Sequence, residues 1–107
     1  MEFDPKKAKE LIGKYILVGI TYLDSNGEIE SQQQLHGSIK RATEDEGILI
    51  QLAGVYDGEE WNMPPVTSSI TKAEPGEYKL RSTGEVVTDP NFLCKWEVHR
   101  PKDDTET

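Results

Sequence analysis

The sequence predicts a mainly β fold, a small antiparallel barrel or roll with one short N-terminal helix. Apolar and polar residues alternate over roughly six or seven short segments, and turn signals separate these segments about every 8 to 12 residues. A chain of 107 residues fits one domain and has little room for two independent cores. We therefore expect a single domain over residues 1–99 and a disordered polar tail over residues 100–107.

The N-terminal segment carries the signals of a helix over residues 6–12. Asp4 can cap the free amide groups, Pro5 is tolerated at the first helical position, and Gly13 supplies a stop. The apolar residues of this helix lie three or four positions apart and form one narrow stripe: Ala8, Leu11 and Ile12. We expect this stripe to lay the helix over the open end of a sheet or barrel.

The next two segments predict a β-hairpin. Residues 14–23 are apolar on both faces, which is typical of a central strand that is covered twice. Asn26-Gly27 suits a tight turn. The returning strand over residues 29–39 alternates between an apolar face and a wet face, and the wet face contains His36.

Shorter strands are predicted over residues 48–52, 59–63, 77–81, 85–87 and 92–99. In the last of these, alternation places four residues inward: Phe92, Cys94, Trp96 and Val98. The opposite face carries Lys95, Glu97 and His99. A Src-homology-3-like or Sm-like roll is the nearest architectural analogy to this strand pattern.

The charge of the chain excludes some partners and suggests another. Twelve Lys and Arg against 20 Asp and Glu give a formal charge of −8, which argues against nucleic acid. Six acidic residues lie between positions 42 and 61, where there is no Lys or Arg: Glu44, Asp45, Glu46, Asp57, Glu59 and Glu60. Our leading hypothesis is a non-catalytic module that engages another protein, with these residues as a docking edge for a basic partner. The alternative is that they only keep the protein soluble and discourage edge-to-edge pairing. The sequence leaves open whether they form one edge or two.

No motif in the sequence predicts catalysis, a metal site or a cofactor. Cys94 is the single cysteine, so no internal disulfide can form, and its inward position predicts a buried, unreactive thiol. His36 and His99 are both expected to face solvent. Metal-ligand spacings and glycine-rich phosphate loops are lacking.

A second hypothesis is a small-molecule-binding barrel or minor enzyme. Residues 75–89 place many directional polar groups around a tight turn, which also fits a plain hairpin with charge pairs on its exposed face. In the ligand-binding alternative four residues converge on a pocket: His36, Tyr78, Arg81 and Glu85. Arg81 would hold a carboxylate or phosphate, Glu85 would act as base, and His36 would shuttle protons. The wet face of the second strand, with Gln32 and Gln34, is another candidate surface for an added strand or peptide.

Hydrophobicity argues against a membrane protein. The longest apolar run is far shorter than the roughly 20 residues that span a bilayer, and the N-terminus lacks the pattern of a signal peptide. We expect a cytoplasmic protein. The exposed strand edges of a small sheet allow a homodimer without requiring one.

Residues 13–99 resemble a family of small, uncharacterised bacterial proteins. The resemblance lies in the segments GKYILVGITYLD, QQQLHG, GILIQL, WNMPP and PGEYKLRSTGEVVTDPNF, with a later Trp. It implies a small β-barrel, and it implies no activity, cofactor or catalytic residue.

Overall fold

The structure, a computed structural model, describes residues 3–99. Its elements are one helix, α1 (Pro5–Leu11), and eight strands: β1 (Tyr15–Leu23), β2 (Ile29–Thr43), β3 (Gly47–Leu52), β4 (Glu60–Met63), β5 (Ile70–Lys72), β6 (Glu77–Lys79), β7 (Val86–Thr88) and β8 (Phe92–His99). Single turns of 3-10 helix lie at Gly54–Tyr56 and Thr67–Ser69. The tail predicted to be disordered, residues 100–107, lies outside the described residues.

Six strands form one mixed sheet in the order β4-β3-β2-β1-β8-β5, and β6 and β7 form a separate hairpin. The expected mainly β fold with one short helix is confirmed. Of the expected antiparallel barrel or roll, no closed barrel is found within residues 3–99: the six-stranded sheet is mixed, with β4 and β5 at its two edges. The pairing of β1 with β8 is parallel, since the chain crosses to the far edge of the sheet after β4 before β8 returns beside β1.

The first half of strand β1 is covered on both faces, as the sequence predicts. Ile16, Val18 and Ile20 belong to the larger core, where Leu11 of the helix also lies. Leu17, which points the other way, packs in a smaller core. The smaller core contains Leu80 and Val87 of the β6–β7 hairpin, with Tyr15, Tyr78 and Leu93 packed against it. We call this second side of the sheet the hairpin face.

Helix α1 begins as predicted, but fewer of its apolar residues pack against the sheet than predicted. The Asp4 side chain accepts a hydrogen bond from the Lys6 amide at 3.0 Å, and Pro5 occupies the first turn. Ala8 and Leu11 are buried, but Ile12 is 49% exposed because the helix has already ended. Over residues 3–99 no helix combines the length and apolar character needed to cross a membrane.

Strand β8 departs from its predicted alternation at the C-terminal end. Cys94 is buried, as expected, and its Sγ lies 3.4 Å from the Ser69 hydroxyl oxygen. Burial raises the pKa of the Cys94 thiol, against the smaller opposing effects of Ser69, Trp96 and Lys7. Val98, predicted inward, is 41% exposed. The partner strand β5 covers β8 only from Phe92 to Cys94, so the later residues run past the end of that neighbour.

Two strand glycines differ in whether the fold requires them. A Cβ at Gly37, in β2, would collide with the backbone carbonyl of Gln51 in β3. A Cβ at Gly19, in the middle of β1, would meet no atom within 4 Å. The fold therefore requires a glycine at position 37 and does not require one at position 19.

We predict that Gly37→Ala destabilises the protein by about 2 kcal/mol or more, because a backbone atom must move to admit the methyl group. Gly19→Ala is the matched control, and it should be neutral or stabilise by up to about 1 kcal/mol through the entropy of the unfolded chain. Urea denaturation followed by circular dichroism measures both values. Equal destabilisation by the two substitutions would contradict this account.

Candidate functional site: a polar groove beside a tyrosine–histidine–glutamate chain

The hairpin face of the sheet is only partly covered. The β6–β7 hairpin packs over its apolar part, where Leu17 meets Leu80 and Val87. Further along the same strands the sheet face is open, and a groove of about 840 Å³ lies there. Its lining comes from three adjacent strands and the hairpin loop: residues 19–21, 32–34 and 95–97, with Arg81 and Ser82.

Gly19 lies at the middle of this groove. The strand register places Gln34 of β2 on one side of Gly19 and Lys95 of β8 on the other. Two residues along, Thr21 lies between Gln32 and Glu97 in the same way. Because glycine has no side chain, the sheet backbone is uncovered at this point. The groove therefore has a backbone floor between two polar walls.

The hairpin loop is clamped to the free edge of β2. The Gln34 amide donates to Ser82 Oγ at 3.2 Å, and the Ser82 amide donates to Gln34 Oε1, also at 3.2 Å. Strand β3 pairs with β2 only from Gly37 onward, so the Gln34 amide would otherwise lack a strand partner. This reciprocal pair fixes the position of Arg81, which precedes Ser82 at the rim of the groove.

Under the hairpin, three side chains form a hydrogen-bonded chain. The Tyr15 hydroxyl lies 2.6 Å from His36 Nδ1, and His36 Nε2 lies 3.2 Å from Glu85 Oε1. A carboxylate only accepts hydrogen bonds, so Nε2 carries a hydrogen, and in the neutral imidazole Nδ1 accepts from the phenol. The second carboxylate oxygen of Glu85 accepts from the Val55 amide at 3.1 Å. We call Tyr15, His36 and Glu85 the latch, because it joins β1 and β2 to the hairpin.

The surroundings of the latch favour the neutral phenol of Tyr15 and the ionised carboxylate of Glu85. Burial, followed by the negative charge of Glu85, raises the pKa of Tyr15. Burial acts to raise the pKa of Glu85 as well, but hydrogen bonds from Thr83 and His36, the electrostatic attraction of the His36 ring and the Val55 amide together hold that pKa below its usual range. A phenol activated as a nucleophile would need a lowered pKa, so the shift at Tyr15 is opposite to the one that a nucleophile requires.

Gly54 closes the latch on its remaining side. Its backbone is in the left-handed region, with φ of +71°, and a Cβ there would collide with Glu85 Oε2 and His36 Nε2. The prediction that His36 faces solvent is therefore wrong. His36 is 7% exposed, because the hairpin and the loop at Gly54 cover this end of β2.

The four residues of the ligand-binding hypothesis do not share one concavity. His36 and Glu85 are in contact, as that hypothesis expected, but they lie under the hairpin. Arg81 lies at the groove. The Tyr78 hydroxyl donates to the Glu74 carbonyl at 2.7 Å, and its ring packs in the smaller core. Sequence reasoning missed Tyr15 as the partner of His36 and missed the position of Gly19 in the groove.

The six acidic residues fall into two groups at opposite ends of β3. Glu44, Asp45 and Glu46 lie in the turn before β3, whereas the others follow the 3-10 turn after it and include Glu60, which pairs with Gln51. The strand separates the groups by roughly 17 Å. Of the two arrangements that the sequence allows, the structure has two separate acidic groups. Within residues 3–99 no three His, Cys, Asp or Glu side chains gather as metal ligands would.

Comparison with protein-family models, with curated proteins and with solved structures finds no match to this chain. The resemblance of residues 13–99 to small bacterial proteins therefore stays a prediction.

The ionisation of Glu85 links the latch to pH. Because the pKa of Glu85 is lowered on folding, its contribution to stability is present above the usual glutamate range and is lost as pH falls through the folded-state value. We predict that Glu85→Gln is less stable than wild type near pH 7, and that the difference shrinks as the pH is lowered below about 4.

Urea denaturation at a series of pH values measures this difference. Glu77→Gln is the matched control, since Glu77 is an exposed carboxylate of the same hairpin without a salt bridge among the described residues. A difference between wild type and Glu85→Gln that stays constant from pH 7 to pH 3 would show that the carboxylate charge is not part of the latch.

Proposed function

We propose that this protein is a non-catalytic binding module that takes a small polar ligand in the groove on the hairpin face. The proposal rests on one observation, the presence of Gly19 at the floor of the groove. A glycine in the middle of a central strand weakens that strand, and here no contact within the protein requires it. Close approach of a ligand to the backbone is a reason for glycine that the folded chain alone does not provide.

The groove walls support the same function. Neither Arg81 nor Lys95 lies within 4 Å of an acidic side chain among residues 3–99. Side chains with charges and amides that face an open groove can exchange water for ligand atoms at little structural cost. A groove of about 840 Å³ has the size of pockets that hold small molecules.

We propose binding at the groove because none of the three latch residues is part of its lining. The latch is the described group most similar to a catalytic triad, and the pKa of its phenol is raised. It lies beside the groove and holds the hairpin whose loop forms one wall. Its contribution to function is to position Arg81 and Ser82.

We predict that filling the groove abolishes binding without unfolding the protein. Gly19→Val places a β-branched side chain, which strands accommodate well, over the floor of the groove. The measurement is a nitrogen-15 chemical-shift screen against amino acids, short peptides, dicarboxylates and monosaccharides. Wild type should show saturable shifts at residues 19–21, 32–34, 81–82 and 95–97, and Gly19→Val should show at least about a tenfold loss of affinity.

Gly19→Ala, whose single methyl group covers less of the groove floor, should weaken binding by a smaller factor than Gly19→Val, and Glu77→Gln, outside the groove, is the matched control. No saturable shift by any compound class, or shifts that Gly19→Val leaves unchanged, would overturn the proposal.

The acidic residues support a second binding function with a different partner class, a basic protein. Their concentration at the two ends of β3 is the observation that favours it, since local negative potential speeds the encounter with a positively charged surface.

We predict that replacing Glu44, Asp45, Glu59 and Glu60 by Gln or Asn leaves ligand binding in the groove unchanged within about twofold. The reason is that none of these four residues lines the groove. The same variant should weaken capture of a basic protein and reduce the salt dependence of that capture. Unchanged capture would remove the acidic residues from any docking surface.

A further inference from the structure

The charged side chains of the groove change sign along β1. This change indicates the charge pattern of a matching ligand. The first row across the sheet is Gln34, Gly19 and Lys95, and the second row is Gln32, Thr21 and Glu97. The rows are two residues apart, which corresponds to about 7 Å along a strand. We call them the Gly19 row and the Thr21 row.

The Gly19 row is cationic at both ends. Lys95 lies at one end, and Arg81 lies beyond Gln34 at the other end, because Ser82 is hydrogen-bonded to Gln34. The Thr21 row carries the opposite charge, that of Glu97. Two positive groups therefore flank the uncovered backbone at Gly19, and one negative group lies about 7 Å further along.

The two glutamine side chains are oriented to match these charges. Gln34 uses its carbonyl oxygen to accept from the Ser82 amide, and its NH₂ group has no hydrogen bond among the described residues. Gln32 uses its NH₂ group to donate to Thr21 Oγ1 at 3.4 Å. Gln34 is therefore left with a donor in the cationic row, and Gln32 is left with an acceptor in the anionic row. Hydrogen-bonding capacity and charge vary together along the groove.

We infer that the groove binds a small zwitterion that lies along β1, with its carboxylate over Gly19 and its ammonium group beside Thr21. Arg81, Lys95 and the side-chain NH₂ group of Gln34 donate to the carboxylate, and Glu97 and the side-chain carbonyl of Gln32 accept from the ammonium group. This inference rests on the proposed binding function, and it names the ligand class for the same groove.

The test compares three probes that share one carbon chain: 6-aminohexanoate, hexanoate and hexylamine. Nitrogen-15 chemical-shift titrations at low salt give an affinity for each. Wild type should bind 6-aminohexanoate at least about fivefold more tightly than either singly charged probe, because the zwitterion makes both sets of charge-assisted contacts.

Charge variants separate the two ends of the groove. Lys95→Gln should weaken 6-aminohexanoate and hexanoate about five- to tenfold and spare hexylamine, whereas Glu97→Gln should weaken 6-aminohexanoate and hexylamine and spare hexanoate. Lys79→Gln and Glu77→Gln are matched controls outside the groove, and neither should change any of the three affinities.

The outcomes distinguish this inference from the proposed function. Equal affinity for the three probes, or equal effects of Lys95→Gln and Glu97→Gln on both singly charged probes, would overturn the zwitterion inference. If the broader screen then finds another compound class in the groove, the proposed binding function still holds. If no compound class binds there, both are overturned.

Discussion

The double covering of strand β1 is the constraint on which the rest of the structure depends. Strand β1 has a hydrogen-bonded neighbour on each side, an apolar core with the helix on one face and an apolar core with the hairpin on the other. A strand with apolar residues on both faces requires two separate covering elements in a chain this short. The helix covers one face, and the β6–β7 hairpin covers part of the other. What the hairpin leaves uncovered becomes the groove.

Three kinds of interaction hold the hairpin on the sheet, and each acts at a different place. Leu80 and Val87 bury apolar surface, each with a transfer free energy of about 1.5 to 3 kcal/mol. The latch adds a directional contact that an apolar patch cannot provide, because Glu85 accepts from both His36 and the Val55 amide. The exchange of hydrogen bonds between Ser82 and Gln34 then fixes the loop at the groove rim. The position of Arg81 therefore depends on Ser82 and Gln34 in the groove lining and also on the latch and the apolar contacts outside it.

The sequence was sufficient for the elements whose cause is local. The Asp4 cap, the doubly apolar β1 and the buried Cys94 follow from periodicity and short-range chemistry, and the structure confirms them. The parallel pairing of β1 with β8 and the open sheet depend on which strand pairs with the second edge of β1. Strand periodicity carries no information about that choice. Strand β5 was not predicted, because its three residues are too few to show a period.

The site shows the same limit in its side chains. Alternation places His36 on the face opposite Leu35, and this is correct, but whether that face is wet depends on a hairpin about 50 residues later in the chain. The contact between His36 and Glu85 could be predicted because both are polar groups in segments that the sequence marks as candidate surfaces. Tyr15 gave no such signal, since a tyrosine at the start of an apolar strand is typical of a core edge. Gly19 has meaning only once its neighbours across the sheet are known.

The net charge of the protein favours a zwitterion, the ligand class that we infer for the groove. The protein has a formal charge of −8 and repels small anions that come within the screening length of the salt. Arg81 and Lys95 must overcome this repulsion if an anion is to bind in the groove. A ligand that carries both charges has no net interaction with that distant field, and each of its ends meets the opposite charge at short range. The acidic surface would thus act against simple carboxylates while leaving a zwitterion free to enter. For the zwitterion that we infer, the two cations of the Gly19 row and the net charge of the protein would together select against simple carboxylates.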